Sequence, residues 1–359
     1  MKSIKKIKKL KGKTVLVRVD FNVPIIDDWI ANDFRIKKTI STIKYLQRKK
    51  AKIILVSHLG RKGNESLTLI FETLKKHIKR VSFIQDLNQS FELKNKEVVL
   101  LENIRREEGE VKNDPKLAKK LADMADIYVN EAFSASHREH ASIVGVPKLL
   151  PSYIGLQFEK EVKHLSFKTK HPFLFILGGA KFSTKIPLIN RFVDDADDIF
   201  IGGALMNDFF KAKGLEIGKS LVEDIDLNNL LNNEKIIIPS DVKVSTGELK
   251  NIEEVNPEDF IVDVGENSTE VLLNKIKKAR LILFNGPLGK YEDGFSQATE
   301  ETLKAISRCK AKTIIGGGDI SSIIYNKGLE KDFDFVSTGG GSTLEFLSKG
   351  TLVGIKALE

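Results

Sequence analysis

Short runs of β-branched and aliphatic residues punctuate the chain at 15–19, 53–56, 98–101, 127–129, 173–177, 199–201, 236–238, 261–264, 281–284 and 313–315. Each is apolar at successive positions rather than at alternate ones, which is the pattern of a strand covered on both faces. Between them lie stretches that are apolar every third or fourth residue. In 36–50, Ile36, Ile40, Ile43 and Leu46 fall on one stripe and lysines take the other side. Strand alternating with helix predicts parallel sheets with helices on both faces. With the weaker runs at 82–84 and 335–337 there are about a dozen strands, more than one ordinary sheet of roughly six holds.

The expected fold is therefore α/β: two doubly wound, Rossmann-like parallel-sheet domains of about six strands each, with a cleft between them. A long connection separates the runs at 127–129 and 173–177. It carries Pro147 and Pro151 and then a helix-like stretch around 157–165. This places a first domain at 1–152, a joining helix at 153–170 and a second domain at 171–344.

Composition narrows the class. Hydrophobic residues are 41% and charged residues 30% of 359, which excludes a disordered chain, a collagen and a coiled coil. No apolar stretch approaches the roughly 20 residues of a membrane span, so no membrane partner is expected. The lone Cys309 permits no internal disulfide and suits a reducing cytoplasm. The net charge of +9 raises nucleic acid as a partner. Binding of that kind needs cations gathered on one face, whereas the arginines here stand at separated strand ends, so none is expected. The opening MKSIKKIKKLKGK has no unbroken apolar core for secretion and is expected to pack through Ile4, Ile7 and Leu10.

Ligands of open parallel sheets bind beyond the carboxyl ends of the strands, and here those ends are chemically unusual. In the first half they read Arg18-Val19-Asp20-Phe21-Asn22, Ser57-His58-Leu59-Gly60-Arg61, Glu102-Asn103-Ile104-Arg105 and Asn130-Glu131-Ala132-Phe133, running on to His137-Arg138; Arg35 follows by a longer loop. Arginines and histidines converging on one edge suit phosphate and carboxylate, which the planar guanidinium binds bidentately. In the second half the ends are Gly178-Gly179-Ala180-Lys181, Gly202-Gly203, Asn285-Gly286-Pro287, Gly316-Gly317-Gly318-Asp319 and Thr338-Gly339-Gly340-Gly341. Glycine turns that open helices bring backbone amides and a positive dipole end to a ligand, which suggests a nucleotide and its phosphates. Lys181 and Lys185 share a face if a helix starts there, and Asp319 is suited to Mg²⁺.

Two common fingerprints are absent. Gly214 to Ser220 is one residue short of a P-loop, and Gly316-Gly317-Gly318 lacks a third glycine in the Rossmann register. An anion site in one half and a nucleotide site in the other point to phosphoryl transfer, a reaction that needs in-line positioning and charge neutralisation. An acceptor oxygen on a carboxylate or phosphate is already ionised at neutral pH and requires no general base.

These motifs, taken in order, resemble the phosphoglycerate kinase family nearly end to end: Val17-Arg18-Val19-Asp20-Phe21-Asn22-Val23-Pro24, Ser57 to Arg61, Leu101 to Arg105, Ala132 to Arg138, Gly178 to Lys181 with Lys185, Asn285 to Gly289, Gly316 to Asp319 and Val336 to Gly341. The resemblance implies reversible, direct transfer of the acyl phosphate of 1,3-bisphosphoglycerate to Mg-ADP, giving 3-phosphoglycerate and ATP, after a hinge closure. It implies that Asp20, Phe21, Asn22, Arg35, His58, Leu59, Gly60, Arg61, Arg105 and Arg138 bind the glycerate. It implies that Gly179, Lys181, Lys185, Asn285, Glu292, Gly316, Gly317, Gly318, Asp319 and Ile320 hold the nucleotide, with Glu292 on the ribose and Asp319 on Mg²⁺ directly or through water. Arg35, Lys181, Lys185 and Gly318 are the expected catalytic set, and Arg35 is expected to contact the transferring group. The resemblance further implies a cytoplasmic, glycolytic monomer whose segment 345–359 returns to the first domain. Departures are Ile320 for Thr, Ser134 for Gly, Lys290 for an apolar residue, and the stretch Ala204 to Asp208.

Overall fold

A computed structural model describes residues 1–223 and 225–359. The chain divides into one unit of Met1–Leu165 with Lys349–Glu359, and a second of Ser166–Ser348.

The first unit holds a six-stranded sheet, parallel throughout, in the order Val81–Ile84, Val98–Leu101, Lys52–Val56, Thr14–Arg18, Ile127–Asn130, Ser152–Ile154. Val17 is flanked by Leu55 on one side and Val129 on the other. Alternate residues serve opposite faces: Val15, Val17, Ile53 and Leu55 join one core, and Leu16, Ile54 and Val56 join another. Both faces are covered, so the strands are apolar at every step. Each fully buried aliphatic side chain contributes on the order of 2 kcal/mol, and Leu55→Ala at the sheet centre would cost about 2–5 kcal/mol. The helix Phe34–Arg48 turns Ile36, Ile40, Ile43 and Leu46 to the first core, as its spacing requires. It gives out before Lys50, whose φ of 60° is left-handed. The Lys-rich start packs through Ile4 and Leu10, with Ile7 half-buried beside them.

Gly354 explains the return of the chain's end to this unit. Its N–H donates to the Ser136 carbonyl at 2.8 Å, and a Cβ there would sit 2.9 Å from both Ile143 Cγ2 and Ser136 Cβ. The Leu156–Leu165 helix is also part of this unit. Its start is capped by the buried Glu131 carboxylate, which accepts from the Gln157 and Phe158 N–H groups at 3.0 Å each.

The second unit holds a six-stranded parallel sheet ordered Ile236–Ile237, Asp198–Ile201, Phe173–Leu177, Leu281–Asn285, Lys312–Gly316, Phe335–Val336. The run at 261–264, expected as a parallel strand, instead forms one edge of a separate antiparallel sheet, Leu249–Asn251, Asp241–Val244, Ile261–Val264. All four of its residues are buried, so its pattern matches that of a central parallel strand. The sixth strand of the first unit is Ser152–Ile154, a short edge strand with only Ile154 buried. The crossover at 85–97 joins parallel neighbours with no helix.

Candidate active site

In the first unit the chain leaves the central strand Thr14–Arg18 to build one side of the sheet, then returns to its other side with Ile127–Asn130. That reversal opens a crevice at the carboxyl ends of these strands, and the basic residues collect there. Asp20 is the hub. Its Oδ2 lies 3.1 Å from Arg35 Nη1 and accepts the Ser134 hydroxyl; its Oδ1 accepts the Asn22 N–H at 3.0 Å. Burial pushes its carboxyl up, but Arg35, His58, Ser134 and the Asn22 amide outweigh that and hold it well below the usual carboxylate range. Ser134 thus supplies a hydrogen bond to the hub.

Arg35, second residue of its helix, also donates to the Asn22 carbonyl at 2.9 Å. Arg105 donates to the Gly60 carbonyl, and its buried Nε has no protein partner. Asn22 Oδ1 accepts the Gly60 N–H at 2.9 Å. Arg105 and Arg138 are each driven down by burial and then by other arginines, including, for Arg105, Arg138 itself. His58 falls well below its ordinary 6.5 through burial and the Arg18, Arg105 and Arg138 charges, against the pull of Asp20. His140 falls to about 4 for the same reasons without that opposing carboxylate. Repulsion of this kind between half-buried cations is relieved by an incoming anion.

Asp20, Asn22, Arg35, His58, Gly60, Arg105 and Arg138 are thus brought together. Arg61 is exposed and within electrostatic reach of Arg138. Phe21 and Leu59 turn their side chains into the core, leaving only their backbones to the site. Sequence reasoning left Arg18, Glu110 and Ser142 out of the site. Arg18 is fully buried, its Nε donates to Ser142 Oγ at 2.7 Å, and Glu110 accepts both the Ser142 hydroxyl and N–H. The one signal is a charged residue inside an otherwise apolar strand.

The second unit has the same reversal, around Phe173–Leu177 and Leu281–Asn285. Here backbone meets backbone. Gly178 N–H donates to the Asn285 carbonyl and Gly179 N–H to that of Pro287, both at 2.8 Å. A Cβ on Gly178 would stand 2.1 Å from the Pro287 oxygen, and one on Gly203 (φ 61°) 2.6 Å from Gly179 N. This turn borders a cavity of about 180 Å³ whose lining includes Gly179, Gly203, Met206, Pro287, Glu292 and Asp319. Glu292 is exposed at its rim. Lys290 is itself part of the cavity lining; its ammonium lies 5.2 Å from the centre of the Phe260 ring and pairs with Asp293 at 2.7 Å.

Lys185 is buried, its ammonium bonded to Asn285 Oδ1. Burial pulls its pKa down to about 8, with Asp319 opposing. Asn285 Nδ2 is buried with no acceptor and faces the Gly317 turn, 3.4 Å from where a Cβ would be. The helix there begins at Ile186, so Lys181 and Lys185 do not share a helix face; Lys181 is exposed on the preceding turn. Gly316 ends its strand, Gly317 (φ 106°) makes the turn, and Gly318 opens the helix Gly318–Asn326 with Asp319 in its first turn. The Ile320 side chain is fully buried, so only its amide belongs to that helix terminus. Among the described residues no group of three His, Cys, Asp or Glu gathers to hold a metal, and no helix is long and apolar enough to cross a membrane. The P-loop-like segment is a structural turn: Gly218 bridges Phe260, Lys219 pairs with Glu258, and Ser220 Oγ accepts from Ile261.

Two doubly wound sheets, one with a cationic edge and one with glycine turns opening helices, define a two-domain α/β phosphotransferase. The sequence profile of phosphoglycerate kinase matches residues 4–350. The chain is 43% identical to the phosphoglycerate kinase of Thermosipho africanus over 97% of this chain and 96% of that one. Among solved structures it is similar to phosphoglycerate kinase from Coxiella burnetii (TM-score 0.84, 34% identity, 99% and 98% covered) and from Pyrococcus horikoshii (TM-score 0.88, 30% identity, 100% and 98% covered). The chain belongs to the phosphoglycerate kinase family.

Proposed function

We propose that this chain catalyses the reversible transfer of the acyl phosphate of 1,3-bisphosphoglycerate to ADP, giving 3-phosphoglycerate and ATP in glycolysis. The first unit takes the glycerate through Asn22, Arg35, His58, Arg61, Arg105 and Arg138. The second takes the nucleotide through Lys181, Lys185, Asn285, Glu292 and the Gly316–Gly318 turn. The observation that carries this reading is the match between charge and need: half-buried arginines around one hub carboxylate in one unit, and a buried lysine beside an unpartnered amide and a helix start in the other.

The chemistry asks little else of the protein. In the direction of ATP synthesis the attacking oxygen is an ionised phosphate of ADP; in reverse it is the carboxylate of 3-phosphoglycerate. Neither must lose a proton, so no base is required, and catalysis reduces to alignment and charge neutralisation. Arg35, half-buried and steered by Asp20, is the group for the moving phosphoryl. Lys185 holds the nucleotide phosphates, with the Gly318, Asp319 and Ile320 amides ahead of the first intrahelical donor, Ser321.

Asp319 is a single exposed carboxylate in a helix's first turn, which suits Mg²⁺, an ion held by one or two carboxylates plus substrate phosphates. Bound there, it would neutralise charge on the nucleotide phosphates. Hinge closure brings the two substrates together, the enzyme works as a cytoplasmic monomer, and nucleic acid and membranes are not partners. The test is ATP formation from 1,3-bisphosphoglycerate and Mg-ADP by the purified protein in a coupled assay. Turnover that vanishes without either substrate is expected, and absence of ATP would overturn the reading.

A further inference from the structure

A neutral histidine carries one ring proton, and which nitrogen holds it decides whether the other side of the ring donates or accepts. Around His58 the geometry leaves one choice. Arg18 Nη2 stands 3.1 Å from Nδ1, whereas the Asp20 Oδ1 atom is 3.8 Å away, beyond hydrogen-bond distance. A guanidinium has donors only and stays charged in proteins. Nδ1 must therefore present its lone pair, which puts the proton on Nε2.

Arg18 is not free to turn. Its Nε donates to Ser142 Oγ at 2.7 Å, its Nη1 donates to the Val19 carbonyl, and Glu110 Oε1 lies 3.8 Å from Nη2. The Ser142 hydroxyl donates onward to Glu110 Oε1 at 2.6 Å. Both Arg18 and Glu110 are fully buried, so the fork is aimed from three directions and His58 is the fourth. Arg18, Arg105 and Arg138 also disfavour a second proton on the ring.

Resting on the reading that the first unit binds phosphoglycerate, we infer that Arg18 is a positioning residue that locks His58 as the neutral Nε2–H tautomer. His58 then offers a substrate oxygen a hydrogen bond without adding charge to a crowded set of cations. Lysine at 18 would keep the charge opposite Glu110, but its donors all leave one nitrogen, whereas Arg18 reaches Ser142, Val19 and His58 from three separate ones.

The full-length protein labelled with ¹⁵N-histidine tests this by proton–nitrogen correlation NMR, with the His58 signals identified as those missing from His58→Gln. The wild type is expected to show Nε2 protonated and Nδ1 bare across neutral pH. Arg18→Lys is expected to populate Nδ1–H and to raise KM for 3-phosphoglycerate about tenfold, with KM for ATP unchanged. A wild-type ring protonated on Nδ1 or on both nitrogens would overturn the inference, whether or not the variant folds. So would Arg18→Lys that raises KM while leaving the tautomer intact, because that is a structural effect alone. Protein that shows the expected tautomer but no kinase turnover would instead overturn the functional reading and leave this one standing.

Discussion

Lys185 is held in a state it would not choose in water, and the cost can be measured. Its ordinary pKa of 10.5 drops to about 8 because the ammonium is buried, with Asn285 Oδ1 bonded to it and Asp319 opposing the shift. At about 1.4 kcal/mol per tenfold, that difference corresponds to roughly 3 kcal/mol of unfavourable charge burial in the empty site. An incoming phosphate supplies the missing counter-charge and recovers much of it. On the proposed reading the free enzyme binds nucleotide with Lys185 charged, and affinity is expected to fall as pH rises through about 8. The assay is ATP consumption with saturating 3-phosphoglycerate, read as kcat/KM for ATP over a series of pH values. The wild type should show a falling limb near pH 8, and the fold-intact Lys185→Met should lose it along with about 10²–10³ in kcat/KM. A wild-type profile flat through that limb, or a Lys185→Met loss below about threefold, would refute the reasoning.

Three further outcomes follow from the same structure. Arg35→Ala should lower kcat by about 10²–10³ with unfolding unchanged beyond the loss of one partly exposed ion pair; equal kcat would remove Arg35 from the transfer step. Glu131 is pushed up to about 7 by burial and by Glu161, against its Thr42, Phe158 and Gln157 hydrogen bonds. The native state therefore keeps a proton that the unfolded chain releases near 4.5, so its contribution to stability falls as pH rises from 4.5 to about 7. In urea unfolding, the stability difference between wild type and Glu131→Gln should shift by a few kcal/mol, on the order of 3, across that window; a constant difference would contradict the assignment. Gly203→Ala forces a Cβ to 2.6 Å from Gly179 N at φ 61°. It should lower stability by about 1–3 kcal/mol and weaken nucleotide binding, measured by thermal unfolding and calorimetry; an unchanged melting temperature would show the turn can relax.

Much of this was legible in the chain, for reasons particular residues make clear. Runs such as 15–19 are apolar at every step because both faces of a parallel sheet are covered, so the sheets could be counted. The same logic misassigned 261–264, since a buried antiparallel strand obeys the same rule, and it passed over Ser152–Ile154, where an edge strand leaves Ser152 and Tyr153 half-exposed. Charged tips after each strand announced an anion site because arginines at strand ends are not needed to fold. The Arg18–Ser142–Glu110 support was hidden. Its members are joined across 124 residues; Glu110 lies in a turn and Ser142 in a single π-helical turn, Ala141–Gly145, both too short to show a period. The glycines announced turns, but that Gly178 and Gly203 are demanded by the carbonyl of Pro287 and the amide of Gly179 is visible only in three dimensions.

The central claim is that charge placement alone moves the phosphoryl group, with no protein nucleophile and no base. Transfer from ATP made chiral at its γ-phosphorus by oxygen isotopes tests this most directly. A single in-line displacement predicts inverted configuration at phosphorus in the 1,3-bisphosphoglycerate formed. Retention would require an even number of displacements, hence a phosphorylated enzyme residue, and would contradict the account.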